Sequence, residues 1–65
     1  MLLMINGAPR EVTDGLAVSG LIEHLGITAT VAIEHNGELV RRGDQDARLL
    51  GAGDRVEIVH FVGGG

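Results

Sequence analysis

Two Asn-Gly pairs, Asn6-Gly7 and Asn36-Gly37, constrain this chain more than any other feature in it. Each follows a β-prone run, "LLMI" in the first case and "VAIEH" in the second. A tight type I′ turn needs positive φ at both central residues, which asparagine and glycine tolerate. The pairs therefore predict two hairpins. The first occupies residues 2–13, with Pro9 at the start of the returning strand, where a missing N–H is tolerated. In the second, Val31 and Ile33 alternate with Ala32 and Glu34, and Leu39 continues the apolar pattern beyond the turn.

Between the hairpins the hydrophobic period changes. In "DGLAVSGLIEHLG", Val18, Leu21, Ile22 and Leu25 fall at i, i+3, i+4 and i+7, the single stripe of a short helix. Gly26 is placed to end it in a left-handed conformation. Ala17 occupies the position of a capping hydroxyl, so Asp14, Ser19 or water is expected to serve instead. Gly20, inside the helix, costs about 1 kcal/mol relative to alanine and is expected to allow close packing against the sheet.

"GDQDARLLGAG" reads as a polar connection with a single helical turn at Leu49-Leu50, tucked under the core. Gly53-Asp54 makes the last turn. In the final strand, "RVEIVHFV", Val56 and Ile58 point one way, and Arg55, Glu57, Val59 and Phe61 the other. The order is β-β-α-β-β-β, an α+β arrangement with one helix on one face of a sheet.

Composition narrows the function. Sixty-five residues make one domain near the lower size limit for unaided folding. There is no cysteine, so neither a disulfide nor a thiolate metal site is available. Nine acids against five arginines, with no lysine and one aromatic, argue against a nucleic-acid backbone as partner. They also leave no side-chain amine for Schiff-base chemistry. No segment has the length of a signal peptide or membrane span, and the cytoplasm is the expected compartment.

His24, His35 and His60 have no i, i+4 spacing and no second ligand type beside them, so they are read as exposed or partly packed, not as a metal site. Glu34, Glu38, Asp44 and Asp46 read as a solvated acidic edge, with Arg41, Arg42 and Arg48 supplying the opposite sign. No nucleophile–base arrangement or cofactor motif is present, so no catalytic residue is assigned.

The chain closes on "HFVGGG". Glycine is used where another molecule must approach the backbone closely. The NG hairpin, the "GLAVSGLIEHLG" helix, the "VAIEHNGELV" hairpin, "GDRVEIV" and the Gly-Gly ending occur here in one order. That order is similar to the ThiS family of sulfur carriers within the ubiquitin-like β-grasp superfamily, over essentially all 65 residues. Ala17, where the family commonly has a capping hydroxyl, and Arg41, where many members have proline, depart from the pattern.

The resemblance implies a β-grasp domain over 1–62, with a mixed sheet of about five strands and the helix on one face, and a flexible tail over 63–65. It implies that an E1-like partner uses ATP to adenylate the Gly65 carboxylate. Sulfur from a sulfur-donating enzyme then displaces AMP to give a thiocarboxylate, and thiazole synthase accepts that sulfur. Gly63 and Gly64 would thread the partner's active site. ATP belongs to the partner in this reading, and the chain holds no stable cofactor.

Val59, Phe61 and Val62 are the candidate docking residues. Phe61 has two possible settings, outward beside Val59 or turned into the core by a bulge. Other functions stay open: the small subunit of molybdopterin synthase, carriers for cysteine synthesis or tRNA thiolation, and an interaction module whose tail is never activated.

Overall fold

The structure, a computed structural model, describes residues 1–61. Strands β1 (Leu2–Ile5) and β2 (Ala8–Glu11) form the first hairpin, and helix α1 (Val18–His24) follows. Strands β3 (Val31–His35) and β4 (Glu38–Val40) form the second hairpin, and β5 (Arg55–His60) ends the described fold. The sheet order is β2-β1-β5-β3-β4. β5 lies parallel to β1 and antiparallel to β3, so the last strand fills the centre of a mixed five-stranded sheet.

Both Asn-Gly turns take the expected conformation, with φ of 49° and 80° at Asn6-Gly7 and 51° and 86° at Asn36-Gly37. The second turn fixes a register that corrects one expectation. His35 pairs with Glu38, Glu34 with Leu39, and Ile33 with Val40. Residues paired across strands share a face, so Leu39 joins Glu34 outside and is 67% exposed, while Val40 joins Ile33 in the core.

The core lies between the sheet and α1. Leu3, Ile33, Val40, Val56 and Ile58 come from the sheet, Val18 and Leu21 from the helix, and Val12 and Leu50 from the flanking segments. Full burial of such a side chain contributes roughly 1.5–3 kcal/mol. With one aromatic, and that one outside, small aliphatic side chains carry the core.

The helix ends as the sequence suggests. Gly26 has φ 70° and donates to the Glu23 carbonyl (3.0 Å), while Ile27 N–H donates to the Ile22 carbonyl (3.1 Å). These two bonds make a Schellman motif.

Its start differs from expectation. Ala17 offers no side-chain cap, and neither does Asp14 or the Ser19 hydroxyl. The connection before β5 supplies the acceptors: Val18 N–H donates to the Arg48 carbonyl (2.9 Å) and Ser19 N–H to the Gln45 carbonyl (3.1 Å). Backbone from a distant segment thus satisfies two of the donors that every helix start leaves open. Asp14 instead pairs with the amino group of Met1 at 2.8 Å.

The same connection corrects two further points. Its helical turn is a 3₁₀ turn at Arg42–Asp44, exposed throughout, and not at Leu49-Leu50. Leu49 bridges Ala17 as a one-residue β-bridge, which turns Leu50 into the core and leaves Leu49 68% exposed. Gly20 does not lie close against the sheet. A Cβ there would meet the Leu16 side chain, Cδ2 at 3.1 Å, one turn back on the helix's approach.

Candidate docking face and tail-bearing strand

β5 is the central strand of the sheet and the last described element before the glycine tail in the sequence, so the contacts that hold it are the ones to follow. Both turn asparagines contribute. Asn6 Oδ1 accepts from Ile58 N–H (2.7 Å) and Asn6 Nδ2 donates to the Ile58 carbonyl (3.1 Å). Asn36 Oδ1 accepts from Arg55 N–H (2.8 Å), while Asn36 N–H donates to the Arg55 carbonyl (2.8 Å). Each asparagine therefore does two things: it adopts the left-handed turn conformation, and its amide extends a β ladder onto β5 past the end of its own strand. The first role is legible in "NG". The second required knowing that β5 runs between the hairpins.

A third clamp holds the entry to β5. Asp54 Oδ2 accepts from Gly51 N–H (2.7 Å) and from His35 Nε2 (2.7 Å). Arg48 Nε donates to His35 Nδ1 (2.8 Å), and Arg48 Nη2 lies 3.4 Å from Glu38 Oε1. A guanidinium only donates, so Nδ1 of His35 is the acceptor and Nε2 carries the proton given to Asp54. The His35 N–H and then the Gly51 N–H hold the Asp54 carboxyl below its ordinary range.

The expectation of exposed or partly packed histidines fails at His35, which is only 6% exposed. The hairpin register decides this: His35 pairs with core residue Val56, so its ring enters the helix side of the sheet. His24 and His60 are exposed, at the ends of α1 and β5. Among the described residues no group of three His, Cys, Asp or Glu is arranged for a metal ion.

The opposite sheet face is open. Val56 and Ile58 are buried, and Val59 and Phe61 are 56% and 65% exposed, so of the two settings the sequence allowed for Phe61 the outward one is found. Leu39, which the sequence reading had continuing the apolar pattern of Val31 and Ile33 beyond the turn, lies on this face as well. Ala32 pairs with Val59, and Glu34 pairs with Glu57, both carboxylates exposed. The remaining assigned residues, Val62, Gly63, Gly64 and Gly65, lie outside the described residues, as does the boundary expected between 62 and 63.

The model of the ThiS family matches residues 3–65, nearly the whole chain and the terminal glycines with it. The chain belongs to the ThiS family. Its fold is that of solved ThiS structures. A crystal structure of the thiamine biosynthesis protein ThiS from Geobacter metallireducens superposes with a TM-score of 0.87 at 38% identity, covering 100% of both chains. A solution structure of a thiamine biosynthesis protein from the same organism gives 0.85 at 38% identity, covering 100% of this chain and 88% of the other.

Two curated relatives of this ThiS-family chain, from Magnetococcus marinus and Paramagnetospirillum magneticum, are named thiazole synthase. They are 39% and 38% identical over 66 residues. The alignments cover all of this chain but 20% of each relative, so the chain spans about a fifth of their length.

Proposed function

We propose that this chain is a sulfur carrier of thiamine biosynthesis and acts as a protein cosubstrate, not as an enzyme. The observation that carries the reading is that the family match runs through Gly65, so the matched region includes the glycine tail. An E1-like partner adenylates the Gly65 carboxylate, releasing pyrophosphate from ATP. A sulfur nucleophile from a sulfur-donating enzyme attacks the acyl carbon and expels AMP, leaving a thiocarboxylate. Thiazole synthase is the acceptor, which agrees with the name of the two curated relatives.

The residues suit this role. A carboxylate is a poor electrophile, and adenylation gives it a good leaving group. Without Cβ atoms at Gly64 and Gly65, nothing crowds the attacked carbonyl and the tail fits a narrow channel. Val59 and Phe61, exposed on and just after the last described strand, form the apolar part of the docking face, and Val62 follows them in the sequence. Among the described residues no helix is long and apolar enough to cross a membrane. The cytoplasm, where ATP and the partner enzymes meet, is the compartment proposed.

The test is the intact mass of the 65-residue chain after incubation with ATP, a sulfide source and the cognate adenylating enzyme. The full-length chain should gain the mass difference between sulfur and oxygen, and a chain lacking Gly65 should gain nothing. An unchanged mass in both would sink the carrier reading.

A further inference from the structure

The two Asn-Gly turns are alike in sequence and unlike in what holds them. In each, glycine leaves the backbone nitrogen after the asparagine unhindered, and a Cβ built on Gly7 or Gly37 would meet no described atom within 4 Å. Asn6 and Asn36 are both exposed, so water reaches both side chains. Their amides differ. Asn6 is tied at both ends to Ile58, Oδ1 to its N–H and Nδ2 to its carbonyl. Asn36 is tied at one end, Oδ1 to the Arg55 N–H. Its Nδ2 lies 3.5 Å from His35 Nε2, which carries a proton of its own and cannot accept. The remaining influence of this amide is a weak one on the Asp54 carboxyl, behind those of His35 and Gly51.

The anchors differ as well. Ile58 is a buried residue inside β5, paired with Ile33 across the sheet. Arg55 is exposed and is the first residue of β5, where a strand frays before its middle opens.

We propose that Asn36-Gly37 is a site of spontaneous deamidation, which the fold leaves open there and closes at Asn6-Gly7. The Gly37 nitrogen gives its proton to solvent base and attacks Asn36 Cγ. An N–C bond forms, the Cγ–Nδ2 bond breaks, and the amide nitrogen leaves as ammonia, taking a proton from water. Water then opens the five-membered imide at either carbonyl, giving aspartate or isoaspartate. One water is consumed and one ammonia released, with no change of oxidation state. Attack requires the side chain to swing from β5 towards its own turn, so each bond to β5 slows it. Either product unfastens the entry to β5. Isoaspartate routes the main chain through the former side chain and removes the Oδ1 bond to Arg55. Aspartate keeps an oxygen there but sets a second carboxylate beside Asp54, since Asn36 Nδ2 and Asp54 Oδ2 both approach His35 Nε2. The proposal is independent of the carrier reading.

The test follows the 65-residue chain in mildly alkaline buffer, with and without denaturing urea. Peptide mapping separates the asparagine, aspartate and isoaspartate forms. In urea, where local sequence alone acts, the two sites supply a reference ratio. In the folded chain the ratio of Asn36 to Asn6 conversion should exceed that reference about tenfold, reflecting one hydrogen bond fewer and the fraying anchor. Both products should form at position 36, because an imide opens both ways. The converted chain, separated by its added negative charge, should unfold at a lower urea concentration than the unconverted one.

A folded ratio equal to that in urea overturns the proposal, since the reaction would then pass through global unfolding. Faster conversion at Asn6 overturns it too, and so does a folded chain in which neither site converts while both convert in urea. Aspartate without isoaspartate at position 36 overturns the imide route. An unchanged urea midpoint overturns the unfastening of β5.

Discussion

His35 is the one buried polar residue among those described, and both of its ring nitrogens are satisfied within the chain. Removing it would leave Arg48 Nε without its acceptor and Asp54 Oδ2 with only the Gly51 N–H, in a half-buried site, at a cost of about 1–3 kcal/mol. His35→Ala should therefore lower the urea midpoint clearly, while Asp46→Ala on the exposed connection should hardly change it. Asp54 links the same cluster to pH. Its carboxyl is held below the ordinary value by hydrogen bonds to the ionised form. The stability this contributes is present above the unfolded carboxylate pKa of about 4 and is lost as pH falls through the lowered folded value. Asp54→Asn should thus be less stable than the wild type near neutrality, with the difference shrinking in acid. A difference that stayed constant from pH 7 to about pH 3 would count against this account.

Helix α1 has seven residues, too few to persist alone. Packing of Val18 and Leu21, the Schellman motif and the borrowed carbonyls of Gln45 and Arg48 hold it. At Gly26 the φ of 70° disfavours any side chain, so Gly26→Ala should cost about 1 kcal/mol by chemical denaturation. Gly20→Ala weighs a helix-propensity gain of about 1 kcal/mol against a 3.1 Å approach to Leu16 Cδ2. That atom is the far end of a flexible side chain at a half-buried position, so a small net gain in stability is expected. A loss would mean that Leu16 cannot move.

Across the described residues, the strand that precedes the tail in the sequence is the central strand of the sheet, between β1 and β3. β5 is paired on both sides, whereas β2 and β4 are edges of the sheet. Amide exchange should accordingly be slowest in β5 and faster in β2 and β4. The docking face should tolerate change without loss of fold. Val59→Ser and Phe61→Ser, at exposed positions, should leave the unfolding midpoint within about 0.5 kcal/mol of the wild type. They should weaken binding to the adenylating enzyme by a kilocalorie or more if they are anchors.

The residue pattern carried a good deal of this. Asn-Gly dictates positive φ, an i, i+3, i+4, i+7 stripe dictates a one-sided helix, and alternation in β5 separates Val56 and Ile58 from Val59 and Phe61. These are local rules with short periods, and they also carried the order of elements. Other features needed the chain to meet itself. The burial of His35, the exposure of Leu39 and the opposition of Glu34 to Glu57 follow from strand register. The capping of α1 by Gln45 and Arg48, and the grip of Asn6 and Asn36 on β5, follow from placing the last strand between the hairpins. Each joins residues far apart in sequence, and no local period encodes which of them will face one another.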